Sequence, residues 1–146
     1  RRQASLDKEM IMSGIKQVPS LWTRAIALVA IGFGLLTIKE GGMTLSGDKE
    51  ALAAAGNYVP FVLWFNFTAG FAYVIAGVGL WLRQRWAVWL AIGIAGATAL
   101  AFAAFGLQVA SGAAYERRTV IAMTLRLLVW TAIAGLAWRQ LLRQPR

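Results

Sequence analysis

The sequence predicts an all-α integral membrane protein, a four-helix antiparallel bundle with both termini in the cytoplasm. Three observations lead there. Of 146 residues, 59% are hydrophobic and only 14% charged, against roughly 25% charged in an ordinary soluble domain. Four apolar stretches can each cross about 30 Å of hydrocarbon at about 1.5 Å per residue, and in lipid such a run satisfies its own backbone only as a helix. The third observation is the uneven placement of Lys and Arg on the two sides of those stretches.

Taken in order, residues 1–19 read as a cytoplasmic juxtamembrane segment. Within it, residues 4–16 carry Leu6, Met10 and Ile15 among charges, which fits either an amphipathic helix lying on the inner leaflet or a solvated tail. The four-span domain covers 20–142. Its first span, 21–38, has no small-residue cleavage site and is followed by Lys39-Glu40-Gly41-Gly42, so it reads as a retained span and not a signal peptide. An outer loop over 40–59 follows, in which Asp48 is placed to cap a short helix that stops at Gly56. Pro60 suits the first turn of the second span, 60–82. Arg83-Gln84-Arg85 leaves room only for a turn into an antiparallel third span, 86–109. A short loop around 111–117 leads to the fourth span, 119–138, and residues 143–146 form a cytoplasmic tail. The chain starts with Arg and not Met, so further residues are expected ahead of Arg1.

Orientation follows from the basic residues. Arg1, Arg2, Lys8, Lys16, Arg24, Arg83, Arg85, Arg139, Arg143 and Arg146 fall on one side; Lys39, Lys49, Arg117 and Arg118 fall on the other, with Glu40, Asp48, Glu50 and Glu116. The richer side is the cytoplasmic one. Trp22, Trp81, Trp86, Trp89 and Trp138 sit at the same ends, and Tyr58 and Tyr115 at the opposite ends, as interfacial aromatics do. The expected location is a membrane crossed several times, and the resemblance given below implies a bacterial inner membrane. A net charge of +9 is then explained by topology, and nucleic acid is not an expected partner.

The composition also limits chemistry. Without Cys or His there is no disulfide framework, Cys/His zinc site, thiolate nucleophile, or haem held by those residues. No carboxylates are paired at helical spacing for acid–base work. Met10, Met12, Met43 and Met123 are too scattered for a thioether metal path. Gly32-Phe33-Gly34 and Gly77-Val78-Gly79 lack the strand–loop–helix setting of a phosphate loop, and Asn66-Phe67-Thr68 is a glycosylation sequon only formally, because it lies inside a span. No enzyme, metal or cofactor is expected.

Small residues mark candidate packing faces. The second span carries Ala69, Ala72, Ala76 and Gly79. The third carries Gly93, Ala97 and Ala101 on one face and Gly96, Ala99, Ala103 and Gly106 on another. Two smooth faces exceed what one neighbour needs, so a second chain is an expected partner, with Ala91 as a reference position outside that contact.

Polar groups inside hydrocarbon carry the remaining signal. An Arg near the centre of a helix costs about 2.5–3.5 kcal/mol on insertion scales. Arg126 lies about 12 Å and Asn66 about 9 Å from the outer ends of their spans at the usual rise. Asn66 shares a helical face with Ala69, Gly70, Tyr73 and Gly77. Gln108 and Glu40, at the outer ends of the third and first spans, complete an expected polar ring. In one reading Glu40 or Glu116 neutralises Arg126, with Asn66 and Gln108 bonded to it, and the ring locks helix register. In another it is an outward-facing pocket where Arg126 attracts an anionic or polar head group, lined by Asn66 and Tyr73.

The passage Ala76-Gly77-Val78-Gly79-Leu80-Trp81-Leu82-Arg83-Gln84-Arg85-Trp86-Ala87, with the four-span layout, resembles small four-helix bacterial inner-membrane proteins of the broad DoxX-like group. The resemblance implies an accessory role beside a larger redox or transport system; it carries over no functional residue. Three readings of function follow. The first is a non-enzymatic accessory or assembly subunit, acting through helix contacts within a homo-oligomer or larger membrane complex. The second is a small transporter, channel or lipid- or anion-binding protein built on the ring. The third, a quinone-linked redox subunit, rests on the resemblance alone.

Overall fold

The computed structural model describes residues 2–143 and, within them, the side chains of all but residues 11–20. Every regular element among these residues is a helix: α1 (Arg2–Leu45), α2 (Lys49–Ala55), α3 (Pro60–Trp81), α4 (Arg85–Ala110) and α5 (Arg117–Ala137), which runs into a wider π-helical turn over Trp138–Leu142. Four stretches are long and apolar enough to cross a membrane: Leu21–Leu45, Pro60–Trp81, Arg85–Ala110 and Arg117–Leu142. The chain is a multi-pass membrane protein by that criterion. Arg1 and residues 144–146 of the expected tail lie outside the described residues, as do the side chains of Ile15 and Lys16.

α1 departs most from the sequence expectation. The first span does not end at residue 38, and the outer loop does not begin at residue 40, because the helix continues through Gly41-Gly42 to Leu45. Gly41 is buried against α3, where a Cβ would stand 3.1 Å from Phe67 Cβ. Tertiary packing overrides the weak helix propensity of the glycine pair. The chain leaves the helix only where it needs a left-handed residue, at Gly47 (φ 81°), with Asp48 N–H donating to Met43 O at 3.1 Å. That closure satisfies carbonyls left open at the helix end. Upstream, residues 2–20 continue the same helix and are not a separate surface helix.

The rest of the outer connection follows local chemistry. Asp48 accepts from Ala51 N–H at 2.9 Å, α2 stops at Gly56 (φ 58°), and Pro60 opens α3. Two bonds from the start of α5 hold α2 and the loop after it in place: Glu116 Oε1, at the cap of α5, accepts from Asn57 N–H at 3.1 Å, and Arg118 Nη1 donates to Ala54 O at 3.5 Å. At the other end the α3–α4 turn places Arg83 at φ 55°, with Gln84 N–H donating to Gly79 O at 2.8 Å.

The closest helix contact joins α1 to α3. A Cβ on Gly34 would lie 2.9 Å from Gly70 O, one on Gly70 2.7 Å from Ile38 Cγ1, and one on Gly77 3.0 Å from Ala27 O. Only glycine allows backbones this near. A core shared by all four long helices forms around Ala27, Ala30, Tyr73, Leu80, Ala91 and Trp130; a smaller cluster holds Val59, Val62, Phe105 and Met123. Thr23 Oγ1 donates to Gln140 Oε1, linking α1 to the final turn.

The small-residue faces are covered unequally, and the reference position needs correction. Ala76 and Gly79 are buried, Ala69 and Ala72 half-buried. On α4, however, Gly93, Ala97, Ala99 and Ala103 are exposed and Ala101 is half-buried. The buried face of α4 is Ala87, Val88, Ala91, Ile94, Thr98 and Phe105, so Ala91 belongs to the core and is no neutral reference. Smooth faces show where a helix could approach, while crossing geometry decides which face is covered.

Candidate functional site

Arg126 stands on the inward stripe of α5, with Met123, Trp130, Ile133, Ala134 and Ala137, at the three- and four-residue spacings that share a helical face. The stripe turns into the bundle because its apolar members pack there, and Arg126 goes with them. It is 8% exposed, and its Nε is buried without a hydrogen-bond partner. Asn66 lies on α3 one turn from both Val62 and Gly70, half-buried, with Oδ1 likewise buried and unpartnered.

The two side chains meet in one cavity of about 600 Å³, a size that suits a small organic ligand. α1 contributes Thr37, Glu40 and Thr44, α2 contributes Glu50 and Ala54, and α5 adds Arg118 and Thr119 beside Arg126. The threonines on α1 line it without leaving orphan donors, since Thr37 donates to Phe33 O at 2.8 Å and Thr44 to Glu40 O at 3.0 Å.

Arg126 is not compensated as the ring reading expects. Glu40 lines the cavity but is exposed, and among the described residues no ion pair joins it to Arg126; it attracts the guanidinium from a distance. Glu116 is engaged at Asn57 instead. The close neighbour is aromatic: the guanidinium carbon lies 5.9 Å from the Phe33 ring centroid, within cation–π range. Below it, Tyr73 stacks on Phe33 at 5.9 Å and meets Trp130 at 4.7 Å.

Two ring members are displaced. Gln108 is exposed on α4 and lines no part of the cavity, because the buried face of α4 at that height is carried by Phe105. Tyr73 is fully buried beneath the cavity and does not line it. Its Oη and Thr98 Oγ1 approach each other without hydrogen-bond geometry, and both are buried and unpartnered, as is Trp130 Nε1. Sequence reasoning missed Phe33, Thr37 and Thr44. Their signal was present: with Glu40 and Gly41 they share one face of α1 at helical spacing, visible once the helix is known to run past residue 38.

A second, apolar groove of about 330 Å³ runs between α3 and α4 past Phe65, Ala69, Ala72, Gly93 and Ala97. Set beside family models, curated protein sequences and solved structures, the chain matches none of them.

Proposed function

We propose that the chain is a non-enzymatic inner-membrane protein that holds an anionic head group in the cavity around Arg126. The observation that carries this reading is a cation 8% exposed, with an unpartnered Nε, in a cavity of about 600 Å³. A buried Arg that serves only as a lock is paired and bonded on all sides; this one lines a cavity and makes no ion pair among the described residues. The test is thermal. Phosphatidylglycerol added to the detergent-solubilised chain is expected to raise its melting temperature by mass action, and phosphatidylcholine is not. Arg126→Met is expected to abolish the difference. An equal response to the two lipids, or one that survives the substitution, overturns the reading.

The accompanying topology is an antiparallel bundle with both termini cytoplasmic. Close approaches that pair Gly41 with Phe67, Gly34 with Gly70 and Ala27 with Gly77 support the antiparallel course of α1 and α3. The Lys and Arg asymmetry supports the orientation. Because the chain has no Cys, single thiols test it directly: Ser46→Cys should label from outside the cell and Ser5→Cys only after permeabilisation. The reverse pattern would invert the topology.

A second reading, an accessory or assembly subunit, is favoured by α4. Gly96, Ala99, Ala103 and Gly106 are exposed, and a Cβ on Gly96 or Gly106 would meet nothing within 4 Å. Ala99→Leu and Ala103→Leu are expected to shift oligomer size in native-lipid nanodiscs without lowering protomer stability; unchanged size removes this reading. The quinone-linked alternative keeps only the DoxX-like resemblance as support.

A further inference from the structure

The outer part of the cavity has a wall that the rest of the molecule holds lightly. α2 supplies Ala51, Ala54 and Ala55 to the lining, at the three- and four-residue spacings that share a helical face. Alanine methyls offer little apolar area to bind α2 down, and none of its seven residues is buried. It leans on α1 and scarcely touches the other helices. The deeper lining is fixed by contrast, with Thr37 of α1 at 4% exposure and Arg126 on the inward stripe of α5.

Both ends of α2 are built to turn. Gly47 (φ 81°) precedes it and Gly56 (φ 58°) follows it, and glycine absorbs changes of φ and ψ that other residues resist. Two bonds, both exposed, tie this segment to the start of α5. The first is Asn57 N–H to Glu116 Oε1 at 3.1 Å. A Cβ on Gly56 would stand 2.6 Å from that carboxylate oxygen, so the Glu116 carboxylate fills the room glycine leaves and clamps the second hinge. The other bond, from Arg118 to Ala54 O at 3.5 Å, lies at the weak end of the hydrogen-bond range. A segment with little buried apolar surface and few, solvent-exposed bonds opens far more cheaply than the whole fold.

We infer that α2 is a hinged flap over the outer mouth, latched at Gly56-Asn57 by Glu116, and that release of this latch admits the head group to Arg126. The gating of entry rests on the head-group reading above; the flap itself does not. Lys39, Glu40, Glu50 and Arg118 line the cavity and are exposed, so the mouth lies at the level of charged groups. Glu50 moves with the flap, and opening takes one carboxylate out of the path of an anion.

Because the chain has no Cys, two measurements on the full chain in detergent micelles test this. In the first, Thr37→Cys reports access to the deep lining through its rate of reaction with a neutral, water-soluble maleimide. Adding Glu116→Ala should raise that rate about fivefold, the equivalent of one net hydrogen bond. Glu116→Gln, whose amide oxygen still accepts from Asn57 N–H, should raise it less. Ala91→Cys, in the core, should react no faster with Glu116→Ala than without it. In the second, bound phosphatidylglycerol is exchanged against its deuterated form and followed by native mass spectrometry. Glu116→Ala should speed exchange about fivefold while the amount retained stays the same, since a flap that closes over both the empty and the loaded site changes entry and exit together. An unchanged rate at Thr37→Cys, or an equal acceleration at Ala91→Cys, overturns the flap. Faster labelling with unchanged lipid exchange overturns its control of entry. Retention of no phosphatidylglycerol by the wild type instead sinks the head-group reading, and the labelling result then decides the flap by itself.

Discussion

α1 meets two neighbours in opposite ways. Against α3 it is close, with Gly34, Gly70 and Gly77 bringing backbone to backbone. Against α5 it barely makes contact, and the gap holds Thr37, Glu40, Asn66 and Arg126. Lipid offers no hydrophobic force between helices, so association rests on close packing; the glycine seam concentrates that packing on one side. The other side is then free to stay apart and polar. On the proposed reading, stability lies in the seam and ligand chemistry in the gap.

Substitutions at the seam should have the largest effect. Gly34→Ala puts a Cβ within 2.9 Å of a backbone oxygen, Gly70 O, which cannot swing away. A loss of about 1–3 kcal/mol is expected, read by denaturant titration in detergent. Gly32→Ala, two residues along, meets nothing within 4 Å and should raise stability by about 0.5–1 kcal/mol through helix propensity alone. Equal effects at the two glycines would break the distinction between seam and open face.

A smaller effect is expected at the α3–α4 turn, outside both regions. Arg83 occupies the left-handed region at φ 55°, where glycine carries no Cβ penalty. Arg83→Gly should stabilise by about 0.5 kcal/mol, the relief of strain partly offset by a more flexible unfolded chain. Thermal melts of the two proteins check the sign.

The smallest effect is expected at Glu40. Were it the partner of Arg126, Glu40→Gln would strand a buried cation and damage the fold severely. Because Glu40 is exposed and Arg126 rests on Phe33, the melting temperature should move by no more than about 2 °C. A larger drop would restore the ion pair as a lock and weaken the case for an unsatisfied cation.

What could be read in advance divides along the same line. The four spans, the Asp48 cap, the stop at Gly56 and Pro60 at the start of α3 follow from apolar length and local backbone chemistry, which neighbouring residues supply. Gly41-Gly42 misled because its helical state depends on Phe67, a residue brought near only by the fold. Gly93, Ala97, Ala99 and Ala103 were legible as smooth, and a surplus face was expected, but the burial of Ala91 and the exposure of both faces were not, since coverage depends on how α4 crosses its neighbours. At the site, Arg126, Asn66 and Glu40 were matched by depth along their helices, and depth placed them at one cavity. Depth says nothing about rotation, which turned Gln108 outward and sank Tyr73 into the core.

The central claim, that Arg126 holds an anionic head group, is most directly tested by native mass spectrometry. The full-length chain would be released from micelles made with equal phosphatidylglycerol and phosphatidylcholine. The wild type should retain one phosphatidylglycerol per protomer, and Arg126→Met, which should stay folded because it removes an uncompensated buried cation, should retain about ten- to a hundredfold less. Equal retention of phosphatidylglycerol by both proteins would contradict the account.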